Sequence, residues 1–399
     1  MSAKLWQPAT SSSLHPLIET YTVGSDKQAD QQLLGYDIIA SKAHVAMLQT
    51  IGILTQTELK QLTAALDDLH GLWLNGSFVV GEHDEDSHSS IEAYLVHHLG
   101  DVGKKVHAGR SRNDQCLVMV RLYLKDTLEQ LTDLSLQVSA SYLKAAKKAG
   151  NTPMPGYTHM QKAMPTSVST WLDSFAAGFS DMSDLLVATR TIIDQNPLGS
   201  AAGFGVSLPL DRQHTTKSLG FKKLQSNPMY CGLSRGLFDL IAVQALTPLM
   251  VLAGKFAQDM MLFTTQEFNF FSLPDNLTTG SSIMPHKHNY DLFEIMRGQA
   301  NAFSSYTGQL QAVASGAGSG YNRDIQLTKA ILLSAMETAK STLEVLILAV
   351  PQIQLHHEVL NAAMTEEMHS VETVNKLVEQ GMPFRDAYGL VKNQLKLRD

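Results

Sequence analysis

Hydroxyls, a cation, two imidazoles and an amide fall within one short strip, Thr279-Gly280-Ser281-Ser282-Ile283-Met284-Pro285-His286-Lys287-His288-Asn289. A hydroxyl beside a fixed positive charge is what proton abstraction next to a carboxylate needs: a base, and a cation for the charge that develops. Gly280 and Pro285 mark the strip as a loop, and its composition alone also fits a flexible surface linker. A second cluster, His107-Ala108-Gly109-Arg110-Ser111-Arg112-Asn113-Asp114-Gln115, directly precedes a long apolar-periodic stretch. Asn113 or Asp114 reads as its helix cap. That leaves Arg110 and Arg112, two guanidiniums beside a helix N-terminus, which suit a carboxylate. A third strip, Pro155-Gly156-Tyr157-Thr158-His159-Met160-Gln161, precedes another helix and carries one histidine, which in isolation reads as structural. The run His83-Asp84-Glu85-Asp86-Ser87-His88 reads as an acidic helix start capped by Asp86 or Ser87, because it matches no metal-ligand spacing.

The elements that must hold these strips are helical. Cys116 to Ala149 contains neither Gly nor Pro, and apolar residues recur at 117, 120, 124, 128, 131, 134, 138, 142 and 145, the three-and-four spacing of one helix face. At 1.5 Å per residue that helix is about 50 Å long and needs equally long partners. Thr166–Gln195, Gly232–Phe268 with a kink at Pro248, Asp291–Ala314 and Asp324–Val350 supply them. Period-2 alternation is nearly absent, which favours an all-α bundle over any sheet. Three domains are expected: an N-terminal helical domain over 1–107, the long-helix bundle with its loops over 108–355, and a small helical domain over 356–399.

The chain has 399 residues, enough for two or three domains or one large one. Only 17% of residues are charged against 44% hydrophobic, which predicts apolar surface buried against other subunits. The net charge of −7 argues against a nucleic acid partner. Cys116 and Cys231 stand alone, so neither a disulfide framework nor a thiolate metal site is expected, and a reducing compartment fits. Met1 to Leu14 is polar without an apolar leader core, and Leu343–Val350, read as the most apolar stretch, is far shorter than the ~20 residues of a spanning helix. A soluble cytoplasmic protein with no membrane partner is expected. No phosphate-cradling glycine loop and no G-x-S-x-G elbow is present. The residues alone describe an all-α enzyme that binds an anion and brings a serine, a histidine and a lysine together.

Gly280-Ser281-Ser282-Ile283-Met284-Pro285-x-Lys287-x-Asn289 resembles the signature loop of the fumarase/aspartase superfamily. The 107–115 cluster, Pro155-Gly156-Tyr157-Thr158-His159, Asn196-Pro197-Leu198-Gly199-Ser200-Ala201-Ala202-Gly203 and Arg323-Asp324-x-Gln326-x-x-Lys329 are similar to the argininosuccinate lyase family within it. The likeness runs from about Lys4-Leu5-Trp6 to Tyr388. It implies a fumarase/aspartase-like fold, a homotetramer with each active site shared between three subunits, no cofactor or metal, and cleavage of the small-molecule substrate argininosuccinate to arginine and fumarate, a step of arginine biosynthesis. Carried over by position, Ser281 is the catalytic serine, His159 the catalytic histidine and Glu294 the carboxylate that orients it. Asn113, Thr158, Lys287, Asn289, Tyr321, Gln326 and Lys329 match substrate-binding positions, and Ser111 and Arg112 at the anion-suited helix start join them.

Ser281 acts as base only if its alkoxide is stabilised, and His159 tuned by Glu294 is then the acid; these residue types also allow the reverse. Glu294 is equally the fourth residue of a capping box begun by Asp291. Lys287 and Asn289, two apart in an extended loop, point the same way. His288, Tyr290 and Ala108 depart from the family pattern, which has Lys, Pro and a hydroxyl residue there. Two competing readings are a lyase for another succinyl compound, such as adenylosuccinate, and a non-catalytic family member.

Overall fold

The structure, a computed structural model, describes residues 15–81 and 84–396, with the backbone alone at Lys396; the Met1–Leu14 segment, including Trp6, and His83 lie outside the described residues. The long helices stand where apolar spacing puts them, at Arg112–Ala149, Val168–Ile193, Leu237–Phe263 with Pro248 inside it, and Thr328–Ala349. The stretch expected as one helix from Asp291 is two, Asp291–Ala302 and Ser304–Ser315, separated at the fully buried Phe303. The last long helix is preceded by a tighter turn over Arg323–Leu327.

The all-α architecture holds, with one local correction. Among the described residues, four two-stranded ladders punctuate the helices. The largest is the antiparallel hairpin Pro153–Thr158 with Gln161–Ser167, where the sequence reading saw only the approach to a helix. Its strand signal is masked by Pro153, Pro155 and Pro165, each of which removes a ladder donor. The register shifts between Pro155 and Tyr157, and a Cβ on the intervening Gly156 would lie 2.8 Å from the Met164 carbonyl oxygen. A second correction concerns hydropathy. The helix Leu237–Phe263 is long and apolar enough to cross a membrane by length and composition, and half of its most apolar window is buried inside the protein.

Packing divides the chain into two compact units. Of the described residues, one unit takes those within Met1–Leu131, Leu185–Thr247 and Phe303–Thr338; the other takes those within Thr132–Asp184, Pro248–Ala302 and Ala339–Asp399. In the first, Leu34, Ile38 and Leu48 of the helix Asp26–Thr50 pack with Leu62, Leu66 and Leu69 of Gln56–Leu74 and with Ile91 and Leu95 of Ser87–Leu99. Ala40 and Ala43 of the same helix meet Val118, Leu122 and Phe221. Asp86 begins Ser87–Leu99 with a reciprocal cap to Ser89, as expected of that acidic run.

The second unit is built around aromatic rings. Phe256 touches Tyr142, Trp171, Phe175 and Phe293 at centroid distances of 5.0 to 5.8 Å, and Trp171 donates to Asp259 at 2.9 Å. Such pairs contribute about 0.5–1.5 kcal/mol each beyond their buried area. Through Phe293 they fix the start of Asp291–Ala302. Tyr157, lying 6.2 and 5.7 Å from Phe263 and Phe268, anchors the hairpin to the same cluster.

Candidate active site

In the first unit Ser111, Arg112, Asn113, Tyr321, Gln326 and Lys329 line one cleft of about 930 Å³. The helix start at its edge is capped by Ser111, not by Asn113 or Asp114. The Ser111 hydroxyl accepts from the Asn113 amide at 3.3 Å, while Asp114 accepts from the Ser111 amide at 2.9 Å. The other Asp114 oxygen accepts from the amides of Gly199 and Ala201 at 2.9 and 3.0 Å, which ties the Asn196–Gly203 motif to the helix start. Asn113 thereby stays at the cleft wall.

The two arginines are not a free anion site. Arg112 places Nη1 on Glu85 and Nε on Asp86, each at 2.5 Å. Arg110 is buried, donates to Ser41 at 3.1 Å, and has Asp37 at 3.7 Å. A guanidinium taken out of water needs a counter-charge, and the chain supplies one to each. Lys329, almost fully buried, lies between Asp26 at 2.7 Å and Asp30 at 2.5 Å. Burial alone would lower its pKa, but the surrounding anions, Cys116, Asp30 and Asp26, carry it above the ordinary lysine range. Gln326 donates to the Thr22 carbonyl at 2.8 Å. Tyr321, half exposed, has the Arg235 guanidinium 4.7 Å from its ring centre.

Asp26, Asp30, His88, Cys116 and Arg235 also line this cleft and were not singled out from sequence. The spacing of Asp26 and Asp30, one helical turn apart at the start of Asp26–Thr50, was the available signal. His88 was hidden by its place in a helix-capping run.

The second unit carries the remaining candidates on three exposed features. Thr158 pairs with Gln161 across a two-residue turn in which His159 and Met160 have φ of 54° and 62°. Two adjacent left-handed residues make the tight turn whose twist matches a hairpin, and neither residue is the glycine or asparagine that usually occupies it. The imidazole is thus presented at the tip of a rigid hairpin. Ser281, Lys287 and Asn289 lie on the loop closed by Thr279–Gly280 and His288–Asn289, which pair antiparallel. The Ser281 hydroxyl oxygen accepts from the amides of Met284 at 3.0 Å and Ile283 at 3.3 Å. Two amides aimed at one oxygen stabilise negative charge on it. Asn289 reaches back to Thr279 and Gly280 at 3.4 and 3.5 Å. Glu294 is exposed on the first turn of Asp291–Ala302, and Asp291 accepts from the Thr279 hydroxyl at 2.5 Å. Among the described residues His159 and Glu294 share no hydrogen bond within one chain.

The model of a lyase family matches residues 16–303. The fold is similar to that of a class II fumarase from Schistosoma mansoni, with a TM-score of 0.81 and 16% identity over 96% of this chain and 89% of that one. It is also similar to a protein described as fumarate lyase:delta crystallin from Brucella melitensis, with a TM-score of 0.80 and 19% identity over 98% and 94%. Fold and family model together make this a lyase with the fumarase architecture. Argininosuccinate lyase from Bacteroides fragilis is 40% identical over 97% of this chain and 86% of its own length. That from Xanthomonas campestris pv. campestris is 42% identical over 97% and 90%. The chain belongs to the argininosuccinate lyase family.

Proposed function

We propose that the chain catalyses cofactor-free β-elimination of argininosuccinate to arginine and fumarate, in arginine biosynthesis, as a soluble cytoplasmic enzyme. The observation that carries the chemistry is the Ser281 oxygen held by two backbone amides. An alkoxide is otherwise too basic to persist, and this cradle supports Ser281 as the base that takes the succinyl β-proton. The ammonium of Lys287 and the Asn289 amide receive the carboxylate on which negative charge grows. As the carbon–nitrogen bond breaks, His159 gives its proton to the departing guanidino nitrogen. The cleft of Asn113, Tyr321, Gln326 and Lys329 takes the amino-acid end of the substrate.

The active site is assembled in a homotetramer, with the Ser281 loop, the His159 turn and the Lys329 cleft drawn from three copies. Glu294, unpartnered by His159 within one chain, orients that histidine from a neighbouring copy. Exposed apolar residues support the assembly. Leu136 and Leu143, seven apart on Arg112–Ala149, and Val187 and Ile192 on Val168–Ile193 are each about half exposed in a single chain. Fumarate absorbance, followed separately with argininosuccinate and adenylosuccinate, tests the reaction, and light scattering tests the assembly. Fumarate from argininosuccinate alone and a tetramer are expected. Release only from adenylosuccinate, release from neither, or a stable monomer refutes the corresponding statement.

A further inference from the structure

Cys116 lies in the floor of the cleft and takes no part in the proton transfers above. Its sulfur accepts from Arg235 Nη2 at 3.1 Å and is hydrogen-bonded by His88. His88 commits Nδ1 to Asp37 at 2.5 Å, so Nε2 is the nitrogen that meets the sulfur. Asp37 is fully buried and is held in turn by the Ser87 hydroxyl at 2.9 Å. Thiol, imidazole and carboxylate stand in the order that activates a nucleophile and orients its base. Burial raises a thiol pKa, yet Arg235 and Lys329 more than reverse this and hold Cys116 below its ordinary value. Burial likewise lowers His88, and Asp37 overrides it, pushing the imidazole up to about 10. Arg235 and Lys329 thus favour the thiolate, and Asp37 favours the imidazolium. Cys231 is the contrast, since burial pushes its thiol up. Arg235 and Lys329 line the same cleft as the Cys116 thiol.

We propose that Cys116, with His88 and Asp37, is a covalent site for a small α,β-unsaturated dicarboxylate, the class to which the fumarate of the proposed reaction belongs. The choice of electrophile rests on that reading; the activated thiolate does not. The sulfur lone pair forms a C–S bond to one alkene carbon. The π pair moves to the adjacent carbon as the enolate of its carboxylate, and the His88 Nε2 proton goes to that carbon. The sum is addition of S–H across C=C, giving a thioether with no oxidant or further reactant. The adduct places two carboxylates beside Lys329 and Arg235, fills the cleft and stops turnover, so accumulated product is recorded as slow covalent loss of activity.

The test uses the native protein, with both cysteines followed by peptide mass mapping. Iodoacetate and iodoacetamide are compared at neutral pH. Cys116 is expected to react about tenfold or more faster with the anion, the size of one or two charge contacts at a partly screened site, while Cys231 shows no such preference. Added fumarate, with succinate as the unreactive control, is expected to leave a succinyl thioether on Cys116 alone, and Cys116→Ser to abolish both reactions. Alkylation of Cys116 that is equal or faster with iodoacetamide, or a fumarate adduct formed as readily on Cys231, overturns the proposal. A protein that forms the Cys116 thioether with added fumarate but releases none from argininosuccinate refutes the reaction above and leaves this site standing. Turnover of argininosuccinate without preferential labelling of Cys116 does the opposite.

Discussion

His88 makes a quantitative prediction about alkaline stability. Its imidazole is nearly inaccessible and shares a proton with Asp37 across 2.5 Å. Burial, the largest single influence, opposes the charge; the charge and hydrogen bond of Asp37, together with Cys116 and Asp86, outweigh it, and the pKa rises from 6.5 to about 10. A group whose folded pKa is raised contributes stability that is complete below its unfolded pKa and is lost as pH rises through the folded one. The window therefore opens near 6.5 and closes near 10. At ~1.4 kcal/mol per unit, the contribution is up to about 5 kcal/mol, of which about 3 kcal/mol has gone by about pH 8.5. That agrees with the ~3–5 kcal/mol expected when one partner of a buried ion pair is removed. His88→Gln keeps much of the volume and cannot titrate. Urea unfolding of both proteins at several pH values across this window tests the histidine together with the Cys116 thiol coupled to it, because alkaline titrations elsewhere in the chain are common to the two. The stability advantage of the native protein should be largest at or below neutral pH and shrink steadily as pH rises. Parallel stability curves for the two proteins would refute a charged His88.

Three further outcomes are expected. Ser281→Ala should lower turnover by at least the ~10²–10⁴-fold of a general acid or base while leaving the melting temperature unchanged, because that hydroxyl bonds only to its own loop; near-normal fumarate release would remove Ser281 from the mechanism. His159→Asn should keep the hairpin, since asparagine tolerates a φ of 54°, yet lose turnover, whereas His159→Val should also cost about 1–3 kcal/mol of stability. Calorimetry and fumarate absorbance on both variants separate the strain from the chemistry. Lys329→Met leaves Asp26 and Asp30 buried without their cation and should destabilise by ~3–5 kcal/mol at neutral pH. Those carboxylates then bind protons more readily folded than unfolded, so acidification should narrow the deficit, which denaturation midpoints at two pH values will show.

Periodicity alone located the long helices, because an apolar stripe at three-and-four spacing has only one way to be buried. The chemistry-bearing strips were legible for a related reason, since glycine, proline and clustered polar side chains mark loops that a helix interior would not tolerate. Tertiary structure decided what those side chains do. Arg110 and Arg112 read as an open anion site until burial set them against Asp37, Glu85 and Asp86, and no local pattern reports a counter-ion many residues away. The left-handed pair at His159 and Met160 is imposed by the two strands it joins, because neither residue type asks for that conformation. His88 and Cys116 are ordinary residues in sequence. The fold encloses one beside Asp37 and the other beside Arg235, where removal from water makes the proton affinity of each depend on its neighbours.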